Sequence, residues 1–308
     1  HLYHVQEAKK KTKADCMIAV MSGSFLQRGE PAIMDKFHRT KAALQSGVDL
    51  VLELPYMYAV QSSQFFAKGA LLTLHALHTD ALCFGSESGS IQAFLDGVNR
   101  LQQHKESFNK AVQKHLQKGF AYPKAIDQAY RQIGIEGIDL FQPNNILGFS
   151  YVQRIMEDKL PIEATTIKRK SSHYHDETIS NRIASATSIR TTLQSEMLSP
   201  KVKAALPKAT IEQLTEYKAK TSRWHDWEAY FPLLYYKIIS MKREELREIH
   251  GVDEGIEGRI IKAIKQATSF SNLIERVKTK RYTQVRLQRM FVHLLTNTKK
   301  KEVEYFFN

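Results

Sequence analysis

Three short apolar runs, residues 16–20, 48–54 and 81–84, alternate with longer stretches whose apolar side chains fall three and four apart, residues 34–45 and 64–77. This rhythm restricts the fold more than any other feature. A strand can reach a parallel neighbour only through a crossover of a dozen or more residues, so strands alternating with helices imply βαβ units. Runs that are apolar throughout, not at every second position, belong to a sheet covered on both faces. Residues 162–167 read as a further strand. The expectation is an α/β fold with a doubly wound parallel sheet of about five strands, the first lying upstream of residue 1.

Residues 89–158 break the rhythm. Helical patterns cover 91–101, 108–116, 125–133 and 145–156, with Gly119 and Gly134 as stops, and read as a helical insertion before the last strand. After Pro200 every pattern is helical: 211–217, 227–239, 244–249, 256–267, 271–277 and 285–295. Residues 199–207 make the best linker, so two domains are expected, 1–200 and 201–308. The run Lys299-Lys300-Lys301 fits an extension of the basic surface and equally a frayed terminus, and the apolar Tyr305-Phe306-Phe307 suggests a chain that continues beyond Asn308.

The formal charge of +13 and pI near 9.5 favour a polyanionic partner, nucleic acid before membrane. The surplus is uneven: 22 Lys and Arg stand against 13 Asp and Glu after residue 200, and 23 against 19 before it. No run approaches the roughly eighteen apolar residues of a membrane span and no signal-peptide pattern is visible, which points to the cytoplasm. Cys16 and Cys83 both fall in apolar runs and are expected to be inert core residues; no spacing suggests zinc. His173-Tyr174-His175-Asp176 has the composition of a metal cluster without a third ligand pattern, so no metal site is assigned.

In a doubly wound sheet, ligands bind beyond the carboxyl ends of the strands. Four segments placed there carry suitable groups: Ser22-Gly23-Ser24, Gly85-Ser86-Glu87, Lys168-Arg169 and the turn from Ser185 to Arg190. Gly85 would leave room for a flat base or sugar against the backbone. In the last segment Ser185, Thr187 and Ser188 precede the apolar-periodic Ile189, Leu193 and Met197, the arrangement of a helix start and therefore of an anion site. Arg190 adds a planar donor fork suited to phosphate oxygens. An ordinary cap with a surface Arg fits that segment alone equally well. Glu53 and Glu87 could orient ribose or substrate, but a solvated rim carboxylate is the simpler reading of each; one of Asn144 and Asn145 would cap the helix that follows, leaving the other free to hydrogen-bond a nucleotide. The chain opens with His1-Leu2-Tyr3-His4 running into Lys9-Lys10-Lys11, like the first turn of a helix whose preceding strand and loop lie upstream.

These pieces stand in the order of the nucleotidyltransferase-like α/β superfamily, in which a His-x-Gly-His loop opens the first helix and a Ser-rich segment with an Arg opens a late one. His1 would be the final His of the first motif. Further segments resemble one bacterial family, the tRNA(Met) cytidine acetate ligases: Ser22 to Ala32, Leu52-Glu53-Leu54-Pro55, Phe84-Gly85-Ser86-Glu87, Gln142 to Gly148, and Thr279-Lys280-Arg281-Tyr282-Thr283. The resemblance covers nearly the whole chain. It implies that residues 1–200 form a nucleotidyltransferase-like, ATP-binding catalytic domain. ATP would be contacted by His1, Leu2, Tyr3, His4, Gly85, Asn144 and Arg169 together with Ser185, Thr187, Ser188 and Arg190. His1 and Arg190 would be catalytic, stabilising charge on departing pyrophosphate, and Mg²⁺ would arrive with ATP. Acetate would be activated as acetyl-adenylate, and N4 of the wobble cytidine of elongator tRNA(Met), in its anticodon region, would then be acetylated.

Residues 201–308 would accordingly bind tRNA. Lys278, Lys280, Arg281, Arg286 and Arg289 crowd twelve residues, with Tyr282 placed to stack on a base. A solvated basic helix face is the alternative for that cluster. No protein or membrane partner is signalled. Two other functions remain compatible with the residues, a small-molecule adenylyltransferase of the same superfamily and a non-catalytic RNA-binding factor.

Overall fold

The computed structural model describes residues 2–169, 186–196 and 198–308. In chain order the elements are α1 (Leu2–Thr12), β1 (Ile18–Ser22), α2 (Lys36–Leu44), β2 (Leu50–Leu54), α3 (Tyr56–Ala59), α4 (Ser63–Ala76), β3 (Ala81–Ser86), α5 (Ile91–Gln103), α6 (Lys105–Gln117), α7 (Tyr122–Gln132), α8 (Pro143–Glu157) and β4 (Glu163–Lys168). There follow α9 (Ala186–Glu196), α10 (Pro200–Ala204), α11 (Lys208–Thr221), α12 (Trp227–Ser240), α13 (Arg243–Glu248), α14 (Ile256–Ile264), α15 (Phe270–Val277), α16 (Gln284–Leu295) and α17 (Lys300–Phe307). The alternation of strand and helix, the helical insertion α5–α8 and the helical remainder all match the sequence pattern. Among the described residues the strands form two pairs, β1 with β2 and β3 with β4, in place of one sheet of five.

The chain forms two compact units. The first is built from His1–Met21, Met34–Leu54 and Ser63–Trp224; the second from Ser22–Ile33, Pro55–Ser62 and His225–Asn308. In the first, β3 and β4 run parallel, with Ala81 opposite Glu163 and Ser86 opposite Lys168. Phe84 meets Phe94 of α5 edge-on at 5.3 Å, and Phe149 of α8 meets Tyr130 of α7 in the same way. A Cβ at Gly148 would overlap the Phe84 ring, so glycine at this position lets α8 lie against β3. Asp35 and Ser90 cap α2 and α5 by accepting from the N–H groups of His38 and Ala93. Residues 201–224 belong to this unit although the sequence pattern placed them after the linker: Tyr217 of α11 stands edge-on to the buried His38 ring of α2 at 5.1 Å.

The second unit packs α12–α17 around Leu234, Ile238, Leu246, Ile260, Leu273 and Phe291, all at most 2% exposed. Trp227 stacks on Phe270 at 4.3 Å while its Nε1 donates to the carbonyl of Gly29 at 2.8 Å. Gly29 has φ +75° and a Cβ there would overlap the Arg289 backbone, so this turn requires glycine. The Lys299–Lys301 run is not frayed. It opens α17, with Glu302 accepting from Lys299 N–H and Lys300 Nζ donating to the Val252 carbonyl. The cysteine expectation also fails in part: Cys16 sits in the bend before β1 and is exposed, and Cys83 is half-buried. No helix among the described residues is long and apolar enough to cross a membrane.

Candidate functional site

Parallel pairing carries β3 and β4 to a common carboxyl end, and the residues there come from four elements. The ladder continues past the strands, with Arg169 N–H donating to Ser86 O at 2.9 Å. Ser86 is fully buried; its Oγ lies 2.7 Å from Thr166 Oγ1 and accepts from Gly89 N–H, which turns the chain sharply after β3. That turn leaves the Gly85 backbone bordered by two side chains. A Cβ on Gly85 would lie 3.5 Å from His4 Nδ1 and 3.7 Å from Arg169 Cγ. Lys168 and Arg169 are themselves exposed.

His4 reaches this edge from the first turn of α1, which Lys11 ties to β4 by donating to Thr166 O at 2.8 Å. His4 Nε2 lies 3.3 Å from Cys83 O. A carbonyl can only accept, so Nε2 carries the proton and Nδ1 faces Gly85 as an acceptor. Burial holds the imidazole pKa below its usual 6.5, and the Arg169 charge adds to the effect. The ring is therefore neutral near pH 7. The ring is half-buried against the β3 backbone.

The last contribution comes from the start of α8. Pro143 occupies the first turn, and the cap is supplied from across the edge by Glu87. Glu87 accepts from Asn144 Nδ2 at 2.6 Å and from Asn145 N–H at 2.8 Å. Asn145 is 1% exposed and returns the contact, its Oδ1 accepting from the N–H groups of Glu87 and Ser88. Glu87 is thus a bonded cap and not a solvated rim carboxylate. Its pairing with the two asparagines joins loops far apart in sequence, and no local pattern signals it.

Gly85, Arg169, His4 and Asn144 therefore share one edge. His1, Ser185 and the segment 173–176 lie outside the described residues, as does the Thr187 side chain. Within α9, Ser188 is fully buried and Arg190 half-buried, and each is engaged with neighbours. Leu2 and Tyr3 are half-buried in α1. Ser22 ends β1, and the chain from Ser22 to Ile33 belongs to the second unit. Glu53 pairs with Lys36 at 2.5 Å. Among the described residues no group of three His, Cys, Asp or Glu could hold a metal ion.

In the second unit the basic candidates divide. Lys278, Lys280 and Arg281 are exposed, the last pairing with Glu254 at 3.3 Å. Arg286 is half-buried; its guanidinium lies 3.9 Å over the Tyr282 ring and donates to Arg281 O. Arg259, which the sequence does not single out, braces the same loop by donating to the carbonyls of Arg276 and Lys278. Two expectations are corrected. Tyr282 is 3% exposed, with its hydroxyl donating to Asp253 O at 2.7 Å, so it packs the core and offers no face to a base. Arg289 donates to Gln61 O at 2.6 Å, and burial together with the charges of Arg286 and Arg28 pushes its pKa down to about 10. It braces the fold instead of presenting charge to solvent.

A parallel strand pair within an α/β unit, whose carboxyl ends gather glycine, histidine and arginine, defines a nucleotide-handling domain. A family model for HIGH Nucleotidyl Transferases matches residues 1–308. The tRNA(Met) cytidine acetate ligases of Oceanobacillus iheyensis and Anoxybacillus flavithermus are each 50% identical to this chain over 98% of it and 76% of their own length. Thermotoga maritima TmcAL, solved in its apo form, superposes with a TM-score of 0.90 at 33% identity, over 99% of this chain and 74% of that one. The same protein bound with alpha-thio ATP gives 0.88 over 99% and 73%. The chain belongs to the tRNA(Met) cytidine acetate ligase family of HIGH nucleotidyl transferases.

Proposed function

We propose that this chain is an ATP-dependent ligase that activates acetate as acetyl-adenylate, releasing pyrophosphate, and then acetylates N4 of the wobble cytidine of elongator tRNA(Met), releasing AMP. The observation that carries the reading is the convergence of His4, Gly85, Arg169 and Asn144 on the carboxyl edge of β3 and β4. This donor set fits a nucleoside triphosphate: a bare glycine backbone for a flat or sugar surface, exposed cations for phosphates, and polar side chains to fix orientation. ATP is a substrate here, and supplies an electrophilic α-phosphate with a good leaving group. The protein's part is to hold it in line with acetate and to stabilise charge as pyrophosphate departs. Arg169 is suited to that charge, with Arg190 and His1 as further candidates. Mg²⁺ is proposed to enter on the phosphate oxygens.

The tRNA is proposed to lie along Lys278, Lys280 and Arg281, with Arg286 at the margin, and to present its anticodon region for acetylation. Exposed cations on a braced loop suit a phosphate backbone. The test is acetate-dependent exchange of labelled pyrophosphate into ATP by the purified full-length protein, followed by acetyl transfer to tRNA(Met). Both half-reactions are expected. Pyrophosphate exchange that ignores acetate, or that demands a phosphorylated metabolite, would replace this reading with a small-molecule adenylyltransferase.

A further inference from the structure

Asn144 and Asn145 are adjacent in sequence, yet the edge of β3 uses them differently. Both atoms of the Asn145 amide are engaged, Oδ1 by two backbone N–H groups and Nδ2 by Asp139 O at 2.9 Å. For Asn144 only one atom is. Its Nδ2 donates to Glu87 Oε1 at 2.6 Å, while the other carboxylate oxygen takes the Asn145 N–H. Both carboxylate oxygens of Glu87 accept, so the Asn144 amide cannot turn over without setting oxygen against oxygen. Its Oδ1 is held away from Glu87, and among the described residues no donor meets it. Asn144 is half-buried, and the Glu87 that holds it lies two residues beyond Gly85.

We infer that Glu87 is a specificity-determining positioning residue: by fixing the Asn144 amide it presents the nucleotide with a lone hydrogen-bond acceptor, which selects a nucleotide bearing a donor there. The donor is the 6-amino group of adenine or a ribose hydroxyl. This rests on the reading of the β3–β4 edge as the ATP site. A site built to pair with a donor rejects an analogue that lacks it, because a buried polar atom is then left unpaired. Replacing Glu87 with Gln removes the constraint. The new amide can satisfy the Asn145 N–H with its oxygen only by turning its nitrogen to Asn144, which must then flip and present Nδ2.

The experiment measures acetate-dependent pyrophosphate exchange by the full chain with ATP, inosine triphosphate, 2′-deoxy-ATP and 3′-deoxy-ATP. For the unaltered protein, kcat/KM is expected to fall tenfold or more for one analogue. Loss with inosine triphosphate identifies the base amino group; loss with a deoxy analogue identifies a hydroxyl. Glu87→Gln should erase most of that discrimination, mainly by raising the KM for ATP, with a smaller change in kcat. In the double variant Glu87→Gln with Asn144→Asp, amide and carboxylate exchange places and an oxygen again faces the nucleotide, so discrimination should return above either single variant. Equal use of all four nucleotides by the unaltered protein overturns the inference, as does full discrimination in Glu87→Gln or a double variant no better than the singles. If Asn144→Ala leaves the KM for ATP unchanged, the nucleotide lies elsewhere, and it is the underlying reading that fails. If Asn144→Ala raises that KM while Glu87→Gln still discriminates, only the positioning role falls.

Discussion

The strand edge of the first unit and the basic end of the second treat polar side chains in opposite ways. At the edge the backbone satisfies itself through the β3–β4 ladder and the Ser86 turn, and among the described residues side-chain atoms are left over: the Arg169 guanidinium, His4 Nδ1 and Asn144 Oδ1. In the helical unit polar groups are drawn inward and bind one another. The Tyr56 hydroxyl lies 2.8 Å from both His293 Nδ1 and Thr296 Oγ1, Tyr282 bonds the Asp253 backbone, and Arg289 the Gln61 carbonyl. Loops after parallel strands must project beyond the sheet, so their side chains stay available to a ligand. A side chain on a helix is available or buried according to what packs against that helix, which the helix's own sequence does not reveal.

The largest test of this contrast is acid. His293 is buried, and desolvation with the neighbouring His250 and Arg289 lowers its pKa to about 3. Because the folded pKa lies below the unfolded 6.5, the unfolded chain binds more protons between those values. Stability should be complete above pH 6.5 and fall with pH by about 1.4 kcal/mol per unit down to pH 3. Urea melts between pH 7 and 4.5 check this, and His293→Gln should flatten the dependence. An unchanged slope would mean that the polar cluster of the second unit is not desolvated.

Next in size, Arg169→Ala should lower kcat/KM for ATP in acetate-dependent exchange by a charge-assisted contact, roughly 1.5–3 kcal/mol, with tRNA affinity unaltered. Equal loss of both would erase the division between edge and helical end. Tyr282→Phe should cost about 1 kcal/mol of stability, read from denaturant melts, and leave tRNA affinity at the level of the unaltered chain. A tenfold weaker tRNA complex with normal stability would assign the Tyr282 hydroxyl to the tRNA instead of to the Asp253 backbone. Smallest per residue, Lys280→Ala and Arg281→Ala should each reduce the slope of log affinity for tRNA against log salt by roughly one, whereas Arg289→Ala should lower stability instead. Pyrophosphate exchange should survive both surface variants.

Much of this architecture could be read from the chain. The 3.6-residue period marked nearly every long helix because each buries one stripe, and α12 survived Pro232 since its apolar spacing continued through it. The strand runs fell within two or three residues of the observed bounds. What escaped the sequence was decided by tertiary contact. Cys16 looked like core because apolar residues follow it, yet β1 begins two residues later. The lysines opening α17 fitted a frayed terminus as well as a basic surface because their anchors, Val252 O and Glu248, lie about fifty residues away. Glu87 and Asn145 carry no periodic or compositional mark, and only the fold brings them together. Gly85, with Arg169 just past β4, was legible because parallel topology sends the ends of all strands to one side.

The segmented make-up of the second unit bears on how the chain folds as it is synthesised. Ser22–Ile33 and Pro55–Ser62 emerge early but belong with a block that starts at His225. At ribosomal rates these segments wait on the order of ten seconds or more before the partners that Gly29, Tyr56 and Gln61 require have been made. Until then the apolar Phe25, Tyr56 and Val60 lack the helical core against which they pack. The helical unit is therefore no appendage that can be cut at a linker and moved to another protein. A fragment beginning at His225 would lack the acceptor for the Trp227 indole and the carbonyl that holds Arg289.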